Sequence, residues 1–123
     1  MADQGFPAAK RLQKSEEFDA VFKCNQYRIS KPEFLLLARR NKVKHNRLGM
    51  VVRKRVTPGA VKRNRFKRLI REVFRKTPLA SLDFVVLTRP GANVLSKHLL
   101  SEVLSNSFSS IINRSRKENI TTS

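Results

Sequence analysis

The chain has 123 residues, 40% of them hydrophobic, and 27 Lys or Arg residues against 9 acids give it a formal net charge of +18. This length and composition predict a single domain over residues 1–123 with a modest core, and they exclude a wholly disordered chain. Residues 39–76 hold 16 basic residues and one acid, Glu72. Such a field predicts a polyanionic partner, and nucleic acid is favoured over an anionic membrane because no Trp-rich amphipathic anchor is present.

The hydrophobic pattern of the sequence predicts neither a membrane-spanning segment nor a signal peptide. No apolar run approaches the roughly 18 residues needed to cross a bilayer, and three basic residues interrupt the N-terminal stretch, Lys10, Arg11 and Lys14. The single cysteine, Cys24, excludes an internal disulfide and a cysteine-cluster metal site. We expect a cytoplasmic protein without a membrane partner, with flexible tails at residues 1–5 and 116–123.

The first helix is predicted to begin at Ser15, a good N-cap, and to end near Lys23. Glu17 lies in its first turn, where the helix dipole favours an anion. Phe18 and Phe22 are one turn apart on one face. Spacing alone favours two core aromatics; the alternative is a partly exposed platform, beside a basic helix, on which unpaired bases stack.

Three strands and a connector are expected from the apolar patterns. The connector is predicted at 27–31, and the strands at 33–40, 47–54 and 82–88. The first two strands are expected to pair antiparallel across the basic turn 41–46, where His45 is expected to be solvated.

The segment 60–76 (AVKRNRFKRLIREVFRK) predicts the central helix. Its apolar residues recur at i, i+3, i+4, i+7 and i+8 and form one stripe: Phe66, Leu69, Ile70, Val73 and Phe74. The opposite arc is basic and polar: Asn64, Arg65, Lys67, Arg68, Arg71 and Arg75. Like charges at i, i+4 repel, so this face predicts docking onto a polyanion. The helix is expected to cross over in a split β-α-β unit, and a last helix is predicted from Asn93 to about Arg114.

Catalytic side chains are not clustered in this sequence. The acids are scattered over separate elements: Asp19, Glu33, Glu72, Asp83 and Glu102. His45 and His98 have no partner at ligand spacing, and no HExxH, GxSxG, P-loop or CxxC motif occurs. We expect no catalytic residue and no metal ligand in the protein, so any chemistry would come from a partner.

The stretch KRNRFKRLIRE at residues 62–72 closely resembles the Arg-Asn-Arg motif of the protein component of bacterial ribonuclease P. Further segments match in the same order: Leu12 with Glu17-Phe18 and Val21-Phe22, Arg47-Leu48-Gly49 with Val52-Arg53-Lys54-Arg55, and Asp83-Phe84-Val85-Val86. The resemblance runs from about Phe6 to Arg114, nearly the whole chain.

The resemblance implies an α+β fold, a two-layer sandwich of order α-β-β-(β)-α-β-α like the second domain of small-subunit ribosomal protein five. It also implies a left-handed β-α-β crossover, where general rules would give a right-handed one. The implied function is that of the ribonuclease P holoenzyme, an endoribonuclease that removes the 5′ leader of precursor tRNA. The implied partners are the ribonuclease P RNA and precursor tRNA, no obligate protein partner is expected, and Mg²⁺ is implied in the RNA subunit only.

The resemblance also assigns residues to roles. Six match the motif that faces the RNA subunit: Arg63, Asn64, Arg65, Lys67, Arg68 and Arg71. Four match residues along the cleft for the single-stranded leader: Phe18, Phe22, Lys54 and Arg55. In two places the chain departs from the family: Leu37 stands where some members carry a cleft tyrosine, and Thr57-Pro58-Gly59 replaces a shorter turn.

Other functions fit parts of the pattern. A ribosomal or ribosome-associated RNA-binding protein with no role in cleavage would share the charge and the α+β order. A helix-turn-helix DNA-binding protein fits less well, because strands flank the basic helix. A protein-only nuclease would need a cluster of acids, which the sequence lacks.

Overall fold

The backbone is arranged as one four-stranded sheet with three helices. The computed structural model describes the backbone of residues 8–122 and the side chains of residues 9–118, so the tail expected at 1–5 lies outside the described residues. The elements in chain order are α1 (Ser15–Lys23), β1 (Tyr27–Ser30), β2 (Phe34–Arg40), β3 (Arg47–Val51), α2 (Ala60–Arg75), β4 (Leu82–Thr88) and α3 (Lys97–Thr122). Short 3-10 turns at Ala8–Lys10 and Pro90–Asn93 precede α1 and α3.

The strand order β1-β2-β4-β3 places β4 inside the sheet. It pairs antiparallel with β2 and parallel with β3. The predicted β2–β3 hairpin is therefore wrong, because β4, a nearly continuous apolar strand, occupies the position between them. Since β3 and β4 are direct neighbours, the β3-α2-β4 unit is also not split.

β1 corrects the expectation of a connector at residues 27–31. Tyr27 and Ile29 pair opposite Ala38 and Leu36 of β2, and the Tyr27 side chain is buried. Arg28 alternates with them and is exposed. Four residues with one apolar face are too short a signal to stand out in a sequence, and pairing with β2 is what makes them a strand.

The two faces of the sheet carry separate cores. Leu36, Phe84 and their same-face neighbours pack against α2 and α3. Leu35, Leu37 and Val85 point the other way and pack with Leu12 and with Val21 of α1. The sandwich layer predicted by resemblance is thus formed by α2 and α3, while α1 covers part of the opposite face.

The helices agree with the sequence to different degrees. Lys14 is the N-cap of α1 and Ser15 its first residue, and β3 ends at Val51. α2 agrees with the prediction to one residue at its C-terminus. α3 begins four residues later than predicted and its backbone continues to Thr122. The α+β class is confirmed; the likeness to the ribosomal domain and the handedness of the crossover stay predictions.

Candidate nucleic-acid interface

The apolar stripe of α2 is buried as predicted, and this orientation decides what its other face presents. All five stripe residues are buried: Phe66, Leu69, Ile70, Val73 and Phe74. On the other arc Asn64, Arg65 and Arg68 are exposed, while Lys67 and Arg71 are half-buried. The helix therefore holds a row of basic side chains toward solvent on a rigid element.

Charge pairing along α2 is concentrated at its C-terminal end. The Glu72 carboxylate pairs with Arg75 and lies 3.6 Å from Nζ of Lys76, and the hydrogen bond from Arg75 lowers the pKa of Glu72. Within residues 9–118, no carboxylate lies at ion-pair distance from the exposed Arg65 and Arg68 or from the half-buried Lys67. The basic side chains in the N-terminal half of α2, where the helix dipole is also positive, are therefore available to bind an anion.

The start of α2 is held by contacts that no local pattern indicates. Nη1 of Arg63 donates to the carbonyl oxygens of Thr57, at 3.0 Å, and Pro58, at 2.6 Å. Asn93 donates from Nδ2 to the Val56 carbonyl and accepts from the Thr57 hydroxyl, both at 2.9 Å. Asn93 is 36 residues from Thr57, so only the fold brings them together. Arg63 is therefore directed at its own turn, unlike Arg65 and Arg68.

On the opposite face of the sheet, α1 places its two aromatic residues differently. A Cβ built on Gly49 would lie 2.5 Å from Cε1 of Phe18, so the Phe18 ring rests directly on the bare backbone of β3. Phe22 is the more accessible ring, with 38% of its surface exposed. Leu37 belongs to this face but is only 2% exposed, so a base cannot stack on it. Phe18 is half-buried, which makes it partly core and partly surface.

The fold separates the two groups of residues predicted to bind RNA. α1 packs with one core and α2 with the other, so the sheet lies between Phe22 and Arg68. The interpretation that the aromatics lie beside the basic helix is therefore wrong. Lys54 and Arg55 are exposed on the connector that leads from the end of β3 to the start of α2.

A charged network that sequence reasoning missed ties α1 to the sheet. Arg47 donates to both oxygens of the buried Asp83, from Nε at 2.8 Å and Nη2 at 2.7 Å. Its Nη1 donates to Oε2 of Glu17 at 3.0 Å. The other oxygen of Glu17 accepts the backbone N–H groups of Gln13 and Lys14, at 2.8 and 3.0 Å. Acids that are far apart in sequence thus meet on one arginine.

The ionisation of the network follows from these bonds. The backbone N–H groups of Lys14 and Gln13, and then the Arg47 charge, hold the pKa of Glu17 below its usual value. The hydrogen bond to Asp83 raises the pKa of Arg47 further above neutrality. Both carboxylates, those of Glu17 and Asp83, are engaged by the Arg47 guanidinium.

Other side chains singled out in the sequence have structural surroundings. His45 lies in the turn, where it is half-buried and its Nε2 is 2.9 Å from the carbonyl oxygen of Ala9, so it is solvated only in part. In the part of the chain that the structure describes, no three His, Cys, Asp or Glu residues form a metal-binding group. None of the described helices is long and apolar enough to cross a membrane.

Comparisons with known proteins agree with this architecture. The model of the family described as Ribonuclease P matches residues 6–112. The ribonuclease P protein component of Proteus mirabilis is 42% identical over 106 residues, which cover 85% of this chain and 88% of that protein. That of Legionella pneumophila is 43% identical over 86 residues, 70% of this chain and 75% of that protein.

Solved structures give the same result for the fold. A mutant RNase P protein of Staphylococcus aureus with defective mRNA degradation activity superposes with a TM-score of 0.76 at 28% identity, over 84% of this chain and 88% of that one. The RNase P protein of Thermotoga maritima superposes with a TM-score of 0.67 at 27% identity, over 85% of this chain and 96% of that one.

Proposed function

Because the chain belongs to the ribonuclease P protein component family, matched over residues 6–112, we propose that it is the protein subunit of a ribonuclease P. In this role it binds the catalytic RNA subunit and the single-stranded 5′ leader of precursor tRNA, and it aids the endonucleolytic removal of that leader. The observation that carries the proposal is the outer face of α2, where Arg65, Lys67 and Arg68 have no carboxylate partner among the described residues.

The outer face of α2 is proposed as the surface for the RNA subunit. The planar guanidinium groups of Arg65 and Arg68 suit bidentate contacts with phosphate oxygens, and the exposed Asn64 amide can donate and accept at a base edge. Because the apolar stripe beneath is buried, these side chains are held on a rigid element. A rigid array loses less entropy on docking than a flexible loop would.

The leader is proposed to bind on the α1 face of the sheet. An unpaired strand offers base faces to an exposed ring and phosphates to nearby cations, with little sequence preference. Phe22 supplies the accessible ring, Phe18 a partly covered one, and Lys54 and Arg55 the cations. This arrangement suits leaders of varied sequence.

The cleavage chemistry is proposed to lie in the RNA subunit, with Mg²⁺ held there. The acids that the fold brings together, Glu17 and Asp83, are both engaged by Arg47. The protein's contribution is then electrostatic and positional: its charge offsets RNA repulsion and its α1 face increases affinity for leader-bearing substrate.

The test is reconstitution. The purified protein is added to a bacterial ribonuclease P RNA at low Mg²⁺, and cleavage of precursor tRNA is measured together with the affinities for precursor and mature tRNA. We expect stimulated cleavage and a preference for the substrate that carries a leader. RNA binding without stimulation would favour the ribosome-associated alternative, and cleavage by the protein without RNA would refute the location of the chemistry.

A further inference from the structure

The contact between α1 and β3 consists of two adjacent pairs in register. Arg47 and Gly49 are two residues apart on β3, so they face the same side of the sheet. Glu17 and Phe18 are consecutive in α1. Glu17 bonds to Arg47, and the Phe18 ring rests on Gly49. The register of the helix on the strand is thus defined by one ion pair next to one apolar contact.

Of the two pairs, only the ion pair depends on the relative orientation of its partners. Apolar packing is non-directional, and the bare backbone at Gly49 offers Phe18 a surface without side-chain ridges. The Arg47 guanidinium, by contrast, is oriented by its two bonds to Asp83, which leaves Nη1 aimed at Glu17. Asp83 in turn accepts from Nδ2 of Asn41 at 2.7 Å, so the acceptor that orients Arg47 is itself held.

Glu17 joins this anchor to the start of the helix. One of its oxygens accepts the Gln13 and Lys14 N–H groups while the other accepts from Arg47. α1 has only nine residues, too few to be a stable helix without tertiary contacts. The single carboxylate therefore joins the start of α1 to β3, at a point separate from the buried Val21, which packs α1 on the middle of the sheet.

We propose that Glu17 and Arg47 are positioning residues for substrate, because the Glu17–Arg47 pair sets the orientation in which α1 presents Phe18 and Phe22 to the leader. This inference rests on the proposed function. Neither residue needs to touch RNA. The exposed Phe22 lies five residues beyond Glu17, so a rotation or slide of α1 displaces it and weakens stacking on a base.

If Glu17 acted only through its charge, its loss would change RNA affinity in the direction opposite to that expected from loss of positioning. Removing a carboxylate from a protein that binds RNA reduces repulsion and should tighten binding. Glu16 provides the matched control, because it is the adjacent acid of the same helix turn and is exposed. Glu17→Gln and Glu16→Gln make the same change in net charge, so a difference between them measures positioning.

The experiment uses the holoenzyme reconstituted with each variant. The readout is the ratio of affinities for precursor tRNA and mature tRNA, with the affinity for the RNA subunit measured in parallel. We expect Glu17→Gln to lower the ratio about threefold and to leave RNA-subunit affinity unchanged, whereas Glu16→Gln leaves both unchanged or slightly tighter. Arg47→Lys keeps the charge but loses the fork that reaches two carboxylates, so it should lower the ratio as Glu17→Gln does.

The outcomes separate this inference from the proposed function. If the wild-type holoenzyme shows no leader preference, the proposed leader-binding role fails. If that preference is present but Glu17→Gln behaves like Glu16→Gln, the positioning role is overturned while the leader-binding role stands. A Glu17→Gln variant that loses affinity for precursor tRNA, mature tRNA and the RNA subunit alike would show a general structural role instead.

Discussion

The outer face of α2 and the α1 face of the sheet are both candidate RNA surfaces, yet the first presents unpaired charge and the second an exposed aromatic ring. On α2 the exposed Arg65 and Arg68 are not paired with any carboxylate among the described residues. On the α1 face the charges of Glu17 and Arg47 are already paired, and the accessible surface comes from Phe22. Under the proposed function, the α2 surface would attract RNA through unpaired charge, while the α1 face would bind an unpaired strand through the shape of its exposed ring.

The largest expected effect comes from removing the exposed ring of the α1 face. Phe22→Ala should weaken binding of leader-bearing precursor tRNA by about 2 kcal/mol, because one base loses its stacking partner. The affinity for mature tRNA should not change. Arg68→Ala is the contrasting variant, expected to weaken assembly with the RNA subunit instead. Equal effects of the two variants on both affinities would contradict the division between the faces.

Gly49→Ala tests whether the packing of α1 on β3 requires a residue without a side chain beneath the Phe18 ring. The new Cβ would overlap the Phe18 ring, which must swing away from β3 and lose packing. We expect a loss of about 1–2 kcal/mol in the free energy of unfolding, measured by urea denaturation, with weaker leader binding. Adding Phe18→Leu should recover part of that stability because the smaller side chain fits beside Ala. An undiminished stability in Gly49→Ala would show that the ring does not need the glycine.

The salt dependence of RNA-subunit affinity tests whether unpaired charge on α2 contributes to binding. Arg68→Ala should reduce RNA-subunit affinity by about 1 kcal/mol and lower the slope of log affinity against log salt by about one counterion. Arg75→Ala is the control on the same helix, because Arg75 is paired with Glu72 and its loss changes the available charge less. Equal slopes for the two variants would mean that pairing by Glu72 does not matter.

The smallest effect concerns pH. The pKa of Glu17 is lowered by folding, so its ionised form stabilises the protein above the unfolded value of 4.5, and that stability is lost as pH falls through the folded pKa. The wild-type protein should therefore have a higher melting temperature than the Glu17→Gln variant near neutral pH. This difference in melting temperature should shrink below about pH 4.5. Thermal melts of both proteins across this range measure it. A pH-independent difference would contradict the ionic contribution of Glu17.

How much of the fold was predictable depended on the range of the interactions involved. The α2 stripe was predicted residue by residue, because helical periodicity is a local property that the burial of Ile70 and Phe74 then satisfies. The hairpin between β2 and β3 was wrong because strand pairing is not local: β4, more than 30 residues further on, pairs with both. β1 escaped notice because its four residues carry too little pattern by themselves.

The candidate site divides in the same way. The sequence predicted that α2 would expose a basic face, and its resemblance to a known family indicated which residues to examine. It did not indicate that Arg63 turns back to Thr57 and Pro58, or that Asn93 holds that turn. Asn93 meets Thr57 only in the folded chain, because 36 residues separate them. Nor did spacing alone decide which of the two α1 aromatics is accessible.

The elements with strong periodicity, the sign and location of the charge, and the family can all be predicted from the sequence. Each of these depends on residues near one another along the chain or on the composition as a whole. Two features emerge only in the folded chain: the sheet separates Phe22 from Arg68, and Glu17 and Asp83 share Arg47. Strand order and ion-pair geometry follow from packing between distant segments, and no window of the sequence contains both segments.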